Sequence, residues 1–398
     1  MRSPAERPRR ATRSAEPLPA QPSRDAAIRR ALGAWYDASA RDLPWRRTRD
    51  PYAIWLSEIM LQQTRVDTVI PYFERFLGRF PSVEALAAAP IDEVLSQWSG
   101  LGYYRRARQL HVAAREVTER YGGALPASAS ELQTLHGVGA YTAGAIASIA
   151  FDRPEPLVDG NVARVLARLE GIGDDIRGAA GLRRLWQAAA RLVPDEHPGR
   201  WNQAVMELGA TVCTPREPRC PACPLAAWCV AAVEGRVAQL PVVGPKKAPR
   251  AVNAVAMVLR RQAKVLLGRR RPEGLFGGMW EPPMVEAPSL SDALVRFAAF
   301  GLDPPLLGKL REIGQVKHVL SHQKLAIVVI AAEAPRALRP VVPAASAYDT
   351  LSWLEFESIA APWAAHSNGA EALQSSRAAT KVGVSTLAKK ILAVNREW

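Results

Sequence analysis

Two carboxylates, a glycine hairpin and four cysteines are the residues of this chain whose types and spacing could do chemistry. Glu58 stands in WLSEIMLQQT (55–64), with Trp55 and Leu56 before it and Ile59, Met60 and Leu61 after it. Such apolar company disfavours the charged form, so its pKa is expected to be raised. A carboxyl that keeps its proton at neutral pH can act as a general acid. The alternative is a glutamate on a solvated helix face. Asp159 precedes a helical stretch that starts near Val162, where it can serve as N-cap. The helix N-terminus, or a hydrogen bond from Asn161, would keep it ionised. One neutral and one charged carboxyl form the pairing that cleaves glycosidic bonds through an oxocarbenium-like transition state. Capping and catalysis are compatible, and spacing alone does not separate them.

Gly137, Val138 and Gly139 lie between the two acids, in LHGVGAYTAGAIASIAFDRPEPLVDGN (135–161). Glycines let a backbone approach an external group closely. The helix expected over 140–150 then turns N–H groups and a positive dipole outward, which suits a phosphate. An ordinary helix–helix turn has the same pattern. Gln62, Gln63 and Thr64 sit near one helix end, and Gly102, Tyr103 and Tyr104 in a tight loop before Arg105 and Arg106. Polar and aromatic groups so placed can wedge into a base stack; a capping threonine and a buried tyrosine are the plain alternatives. The cysteines read Cys213-x6-Cys220-x2-Cys223-x5-Cys229, with Pro215, Pro218, Pro221 and Pro224 stiffening the loops. This clustering argues against a disulfide framework and for one closed four-thiolate site in a reducing compartment, holding zinc or an iron–sulfur cluster. The paired CxxC spacing of a zinc ribbon is absent.

The elements that must position these groups follow from pattern. Of 398 residues 48% are hydrophobic, and 52 Lys+Arg against 38 Asp+Glu give a net charge of +14, which favours a polyanionic partner. Residues 1–24 carry six Arg, two Glu and five Pro with few large apolar residues, and read as a disordered basic tail. Residues 25–234 read as an all-α region, with helices expected around 66–79, 82–98, 104–121, 128–134, 140–150, 161–170, 181–193 and 201–211. Residues 235–250, GRVAQLPVVGPKKAPR, read as a linker. Residues 251–398 read as an α+β domain, with strands at 252–259, 265–268, 325–331 and 351–354 and helices at 291–300 and 384–394. No apolar run is long enough for a membrane span and no signal-peptide core is present, so a soluble, cytoplasmic protein is expected, nucleoid-associated if bacterial; a monomer is also expected.

LPWR (43–46), WLSEIMLQQT (55–64), GLGYYRRAR (100–108), GVGAYTAGAI (137–146), VDGNVARVLAR (158–168) and the cysteine spacing resemble, in order, the helix–hairpin–helix DNA glycosylase superfamily. Within it the chain resembles the adenine DNA glycosylase (MutY) family over about residues 28–398, with a Nudix-like C-terminal domain. The resemblance implies a monofunctional enzyme that flips adenine, mispaired with 8-oxoguanine or guanine, out of duplex DNA and hydrolyses its glycosidic bond. Glu58 matches the general acid, Asp159 the carboxylate that stabilises the sugar cation, and Tyr141 a tyrosine that assists at the sugar. Lyase-competent relatives carry a lysine where Tyr141 stands. The resemblance makes the cluster a [4Fe–4S] centre on Cys213, Cys220, Cys223 and Cys229. DNA contacts fall to Gln62, Gln63, Thr64, Tyr103, Gly137, Val138 and Gly139, and the adenine pocket to Trp45, Arg46 and Gln203.

The segment GLFGGMWEPP (274–283) resembles the family's GLWGG-type stretch, but the glutamate-rich metal helix of Nudix hydrolases does not follow it. The expected role of this domain is therefore lesion recognition. The family's Phe-Ser-His triplet reads Leu320-Ser321-His322 here, which keeps Ser321 and His322 for 8-oxoguanine recognition and loses the aromatic. His136 replaces a proline common in the hairpin.

Overall fold

The computed structural model describes residues 22–245, 248–320, 322–355, 359 and 382–394. The tail up to residue 21, Ser321 and two lysines of the expected linker, Lys246 and Lys247, lie outside the described residues. By internal contacts the chain divides into two units. The first holds Met1–Trp55, Pro126–Thr134 and Val138–Pro245; the second holds Leu56–Leu125, Leu135–Gly137 and Lys246–Trp398. A helical core is followed along the chain by a sheet-containing, Nudix-like domain, as the sequence pattern indicates.

The helices are α1 (Pro22–Ser39), α2 (Pro51–Leu61), α3 (Val66–Arg79), α4 (Val83–Ala88), α5 (Ile91–Trp98), α6 (Arg105–Tyr121), α7 (Ala129–Leu132), α8 (Ala140–Phe151), α9 (Gly160–Leu169), α10 (Ala179–Leu192), α11 (Pro198–Thr211) and α12 (Val230–Val233). Helix α1 starts inside the segment read as tail. The reason is Arg24, whose guanidinium donates to Glu170 at 2.8 Å and to the Leu169 and Trp228 carbonyls at 3.2 and 2.9 Å. The stretch expected as one helix over 82–98 is two, because Pro90 has no N–H to continue the ladder and instead caps α5. In the first unit α11 is the central element and packs against α1, α8 and α9. Part of the expected linker is fastened to that unit: Leu240 is buried, its carbonyl accepts from Arg168 Nε at 2.9 Å, and the Val242 carbonyl accepts from the Ile176 N–H at 3.0 Å.

In the second unit the strands are β1 (Arg250–Arg261), β2 (Lys264–Arg270), β3 (Trp280–Glu281), β4 (Met284–Glu286), β5 (Arg311–Val319), β6 (Gln323–Glu333) and β7 (Tyr348–Glu355). They form one sheet in the order β3-β2-β1-β6-β5, with β4 paired to β1 and β7 to β2. Only β1 and β6 run parallel, in register from Arg250↔Gln323 to Arg260↔Glu333. Strand β1 is apolar without alternation because both faces are covered. Val252, Ala254, Ala256 and Val258 pack with Leu387 and Ile391 of α14 (Thr386–Ala393), whereas Val255, Met257 and Leu259 pack with Ala293 and Phe297 of α13 (Leu290–Ala298). Strand β5 was not legible in the sequence: REIGQVKHV is an edge strand, mostly exposed and charged, so no apolar alternation marks it. The helices of this unit bond to the sheet segment, with Ser99 Oγ donating to the Val384 carbonyl at 2.9 Å and Arg108 to the Gly277 carbonyl.

Candidate active site and nucleic-acid interface

In the first unit, α11 presents Gln203, Met206 and Glu207 at helical spacing. The Glu207 side chain is fully buried and takes a forked pair of hydrogen bonds from Arg41, Nε at 2.6 Å and Nη2 at 2.8 Å, and a third from Arg46 Nη2 at 2.8 Å. Burial is the largest single influence and pushes this carboxyl up. The hydrogen bonds and charges of Arg41 and Arg46 together outweigh it and hold the pKa below its ordinary value. Arg46 is thereby fixed with its guanidinium 5.5 Å from the Tyr36 ring centroid, and Tyr36 Oη donates to Gln203 Oε1 at 3.5 Å. The structure thus brings Arg46 and Gln203 together around Tyr36, with Trp45 buried in the 3-10 turn Pro44–Arg46. Sequence reading missed Glu207, although a glutamate inside WNQAVMELGA carries the same signal that singled out Glu58.

Tyr141 lies in the first turn of α8, half-buried, with Oη 3.5 Å from Met206 Sδ. Asp159 is the N-cap of α9, its Oδ1 accepting from the Val162 N–H at 2.7 Å. The cap favours the charged form, as the sequence leads one to expect, but it is not the largest influence on this acid. Burial is the largest influence and raises the pKa, and it exceeds the lowering by the Val162 and Asn161 N–H groups and the Arg164 charge.

In the second unit, Glu58 lies on α2 and is 5% exposed, which removes the reading of a solvated helix face. Just beyond it, Gln63 and Tyr103 adopt left-handed backbone at φ 58° and 51°, conformations rare for residues with a Cβ. One side chain holds both loops. Arg106 Nη1 donates to the carbonyls of Ile59, Met60 and Gln62 at 2.8, 2.8 and 2.6 Å. Its Nη2 donates to Thr64 Oγ1 at 3.0 Å and to the Gly102 carbonyl at 3.3 Å. The guanidinium also lies 5.2 Å from the Tyr103 ring centroid, which leaves that ring 47% exposed. Burial pulls the Arg106 pKa down to about 10. Tyr104, by contrast, is a core residue.

Gly137 has φ 75°, and a Cβ there would lie 2.7 Å from Gln109 Cβ, so the position requires glycine. Val138 is buried; Gly139 is the N-cap of α8, where no side chain caps and a Cβ would meet open space. His136 is exposed, and its backbone N–H donates to Glu116 Oε2 at 2.8 Å.

A cleft of about 520 Å³ lies within the second unit, lined by Gln62, Gln63, Tyr103, Phe276, Leu320 and His322 among others. Leu320 and His322 flank the tight turn between β5 and β6, closed by the Leu320 N–H donating to the Gln323 carbonyl at 2.8 Å. Ser321 of the same triplet lies outside the described residues.

The four cysteines are half-buried and free, on the loops before α12. Burial, then the charges of Cys213, Cys229 and Cys220, push the Cys223 thiol up to about 11. Arg168 Nη1 lies 3.3 Å from Cys213 Sγ. As they stand, no three His, Cys, Asp or Glu side chains among the described residues meet around a single ion. The donor set is nevertheless of the kind a thiolate-bound cluster takes: four thiols within electrostatic reach of one another, with Arg168 beside Cys213.

Two family models match the chain. The one described as HhH-GPD superfamily base excision DNA repair protein covers residues 56–190, and the one described as NUDIX domain covers residues 254–366. The adenine DNA glycosylase of Rattus norvegicus is 39% identical over 387 residues, spanning 83% of this chain and 74% of the relative. That of Homo sapiens is 40% identical over 361 residues, spanning 75% and 65%. That of Buchnera aphidicola subsp. Schizaphis graminum is 32% identical over 297 residues, spanning 74% and 84%. The chain belongs to the adenine DNA glycosylase family. As such it is a base excision repair enzyme that removes adenine from DNA. Among the described residues no helix is long and apolar enough to cross a membrane.

For a glycosylase of this family the Arg106 anchor has a measurable consequence. Arg106→Ala leaves four carbonyls and a hydroxyl without their charged donor, at about 1–3 kcal/mol for each buried acceptor left unsatisfied. We expect hydrogen exchange to rise at residues 62–64 and 102–104 and duplex affinity to fall. Unchanged exchange in both loops would separate them from Arg106.

Proposed function

We propose that the enzyme excises adenine opposite 8-oxoguanine, or opposite guanine, as a monofunctional hydrolase. Glu58 gives its proton to the adenine ring, which makes the base a better leaving group. The bond between the sugar carbon and the adenine nitrogen breaks, and its electron pair leaves with the base. The Asp159 carboxylate stabilises the oxocarbenium character left on the sugar; water adds to that carbon and loses a proton. Tyr141 stands by the sugar in place of the amine that would make a Schiff base. Trp45, Arg46 and Gln203 receive the flipped adenine, with Arg46 oriented by Glu207. Gly137, Val138 and Gly139 take a backbone phosphate.

The observation that carries the choice of opposite base is the cleft of the second unit. Gln62, Gln63 and Tyr103 share it with Leu320 and His322. Exposed polar and aromatic groups from two loops thus face the turn of a Nudix-like sheet. A module so placed reads the base left behind; it is not a second hydrolase. The four cysteines hold a [4Fe–4S] cluster in a structural role, since four protein thiolates leave no open coordination position. Such a group would supply rigidity to the loop before α12.

Four measurements test this reading. Single-turnover excision from A:8-oxoguanine, A:G and thymine glycol:A duplexes should be fastest on the first and absent on the last. Glu58→Gln should lower excision at least about 10²-fold while duplex binding holds; retained turnover removes Glu58 from the mechanism. The raised pKa of Asp159 sets a sign: a step that needs the carboxylate fails as pH falls through that pKa, so the acid limb of the pH–rate profile should lie above the about 3.9 of ordinary aspartate. An acid limb at or below that value overturns the assignment. Purified protein should be brown and lose its iron on Cys223→Ser; colourless protein with stoichiometric zinc overturns the cluster.

A further inference from the structure

Six residues other than glycine have left-handed backbone among those described, and three of them, Gln63, Tyr103 and Phe276, line the same cleft of the second unit. For a bulky aromatic residue φ 55° is an outlier, and such strain persists only where the surroundings impose it. The surroundings here are specific. A Cβ on Gly277 would lie 2.2 Å from the Pro272 carbonyl oxygen, so the loop closes on itself directly after the phenylalanine. The Met279 N–H donates to the Phe276 carbonyl at 3.0 Å, the Gly278 N–H to the Arg270 carbonyl at 3.0 Å, and Arg108 to the Gly277 carbonyl. Loop 271–279 is thus tied to β2 and to α6, and the turn delivers the Phe276 ring to the cleft wall. There it is half-buried, rests on the same core cluster as Leu320 and lies 6.1 Å from the His318 ring.

Leu320 supplies apolar volume but no π-face. A purine held in this cleft between Tyr103 and the β5–β6 turn would meet an aliphatic contact at Leu320 and an aromatic one at Phe276. We propose that Phe276 is the aromatic contact for the purine opposite the target adenine and a determinant of the preference for 8-oxoguanine over guanine. The proposal rests on the reading that this cleft takes the opposite base. Aromatic stacking is sequence-tolerant by itself. It becomes discriminating here because the ring fixes the plane in which His322 meets the oxidised edge of the base.

The test uses the full-length protein with its cluster. Single-turnover rates on A:8-oxoguanine and A:G duplexes are compared for wild type, Phe276→Ala, Phe276→Leu and Phe276→Trp. The readout is the ratio of the two rates, so a general loss of fold cancels. Alanine and leucine should each lower the ratio about tenfold, the loss of one base–aromatic stack, and tryptophan should restore it. A fluorescent guanine analogue opposite the adenine should be quenched by wild type and Phe276→Trp and released from quenching in Phe276→Leu. An unchanged ratio and unchanged quenching in Phe276→Leu overturn the role of Phe276 while leaving the lesion reading intact. A wild-type enzyme with no preference for 8-oxoguanine overturns the lesion reading itself.

Discussion

The second unit depends on one buried cation. Arg106 stands on α6 and spends its guanidinium on the end of α2, on Thr64 and on the Gly102 carbonyl. A guanidinium is the group for this work. It is planar, carries five donors in a fixed fork, and stays charged even where burial lowers its pKa. The last carbonyls of a helix have no partner of their own, and a cation there also meets the negative end of the helix dipole. The same side chain therefore closes α2, stabilises two strained turns and leaves Gln63 and Tyr103 outward. Strain at those two residues is tolerated because the anchor behind them is rigid.

Charge is handled differently in the first unit. Glu207 is buried completely, and its desolvation is offset by two arginines that reach it from the segment before α2. Asp159 has only backbone N–H groups and the more distant Arg164, and its burial wins. Two acids on neighbouring helices of one unit are thus tuned in opposite directions by how many guanidiniums each receives. The paired acid is a strut. The under-compensated acid keeps a backbone cap and the Arg164 charge, which its burial exceeds.

Much of this was legible in the sequence, and the reasons differ by residue. Glu58 was legible because an acid inside an apolar helical run has no cheap solvated alternative. Gly137 was legible because a hairpin before a helix needs a left-handed residue there. Helix positions followed from period, and β1, β2, β6 and β7 from apolar runs. Arg106 was not legible as an anchor, since an arginine beside Arg105 and Arg108 reads as surface charge until its five acceptors are seen. The burial of Asp159 was not legible, because capping is a local signal and burial is not. The grouping of α3 to α6 with the sheet was hidden for a related reason: chain continuity suggests one helical domain, whereas packing is decided by partners distant in sequence, such as Ser99 and Val384.

The β5–β6 turn shows why a small sheet is a suitable carrier for recognition groups. Strand β6 pairs with β1 on one side and β5 on the other, so it is the best-anchored strand near the turn. His322 immediately precedes it, and its carbonyl accepts from the Arg250 N–H at 3.0 Å, which pins the turn to the start of β1. Leu320 is held from below by the core that α14 completes. Leu320 and His322, held in this way on either side of Ser321, have little freedom to lose on binding, so contacts made by them are not discounted by ordering. Strand β5 forms the free edge of the sheet, and its outward charges at Arg311, Glu312 and Lys317 keep that edge from pairing with other chains. An exposed edge that is a liability in most folds is thus protected by charge, while its last residues, His318 and Val319, line the cleft.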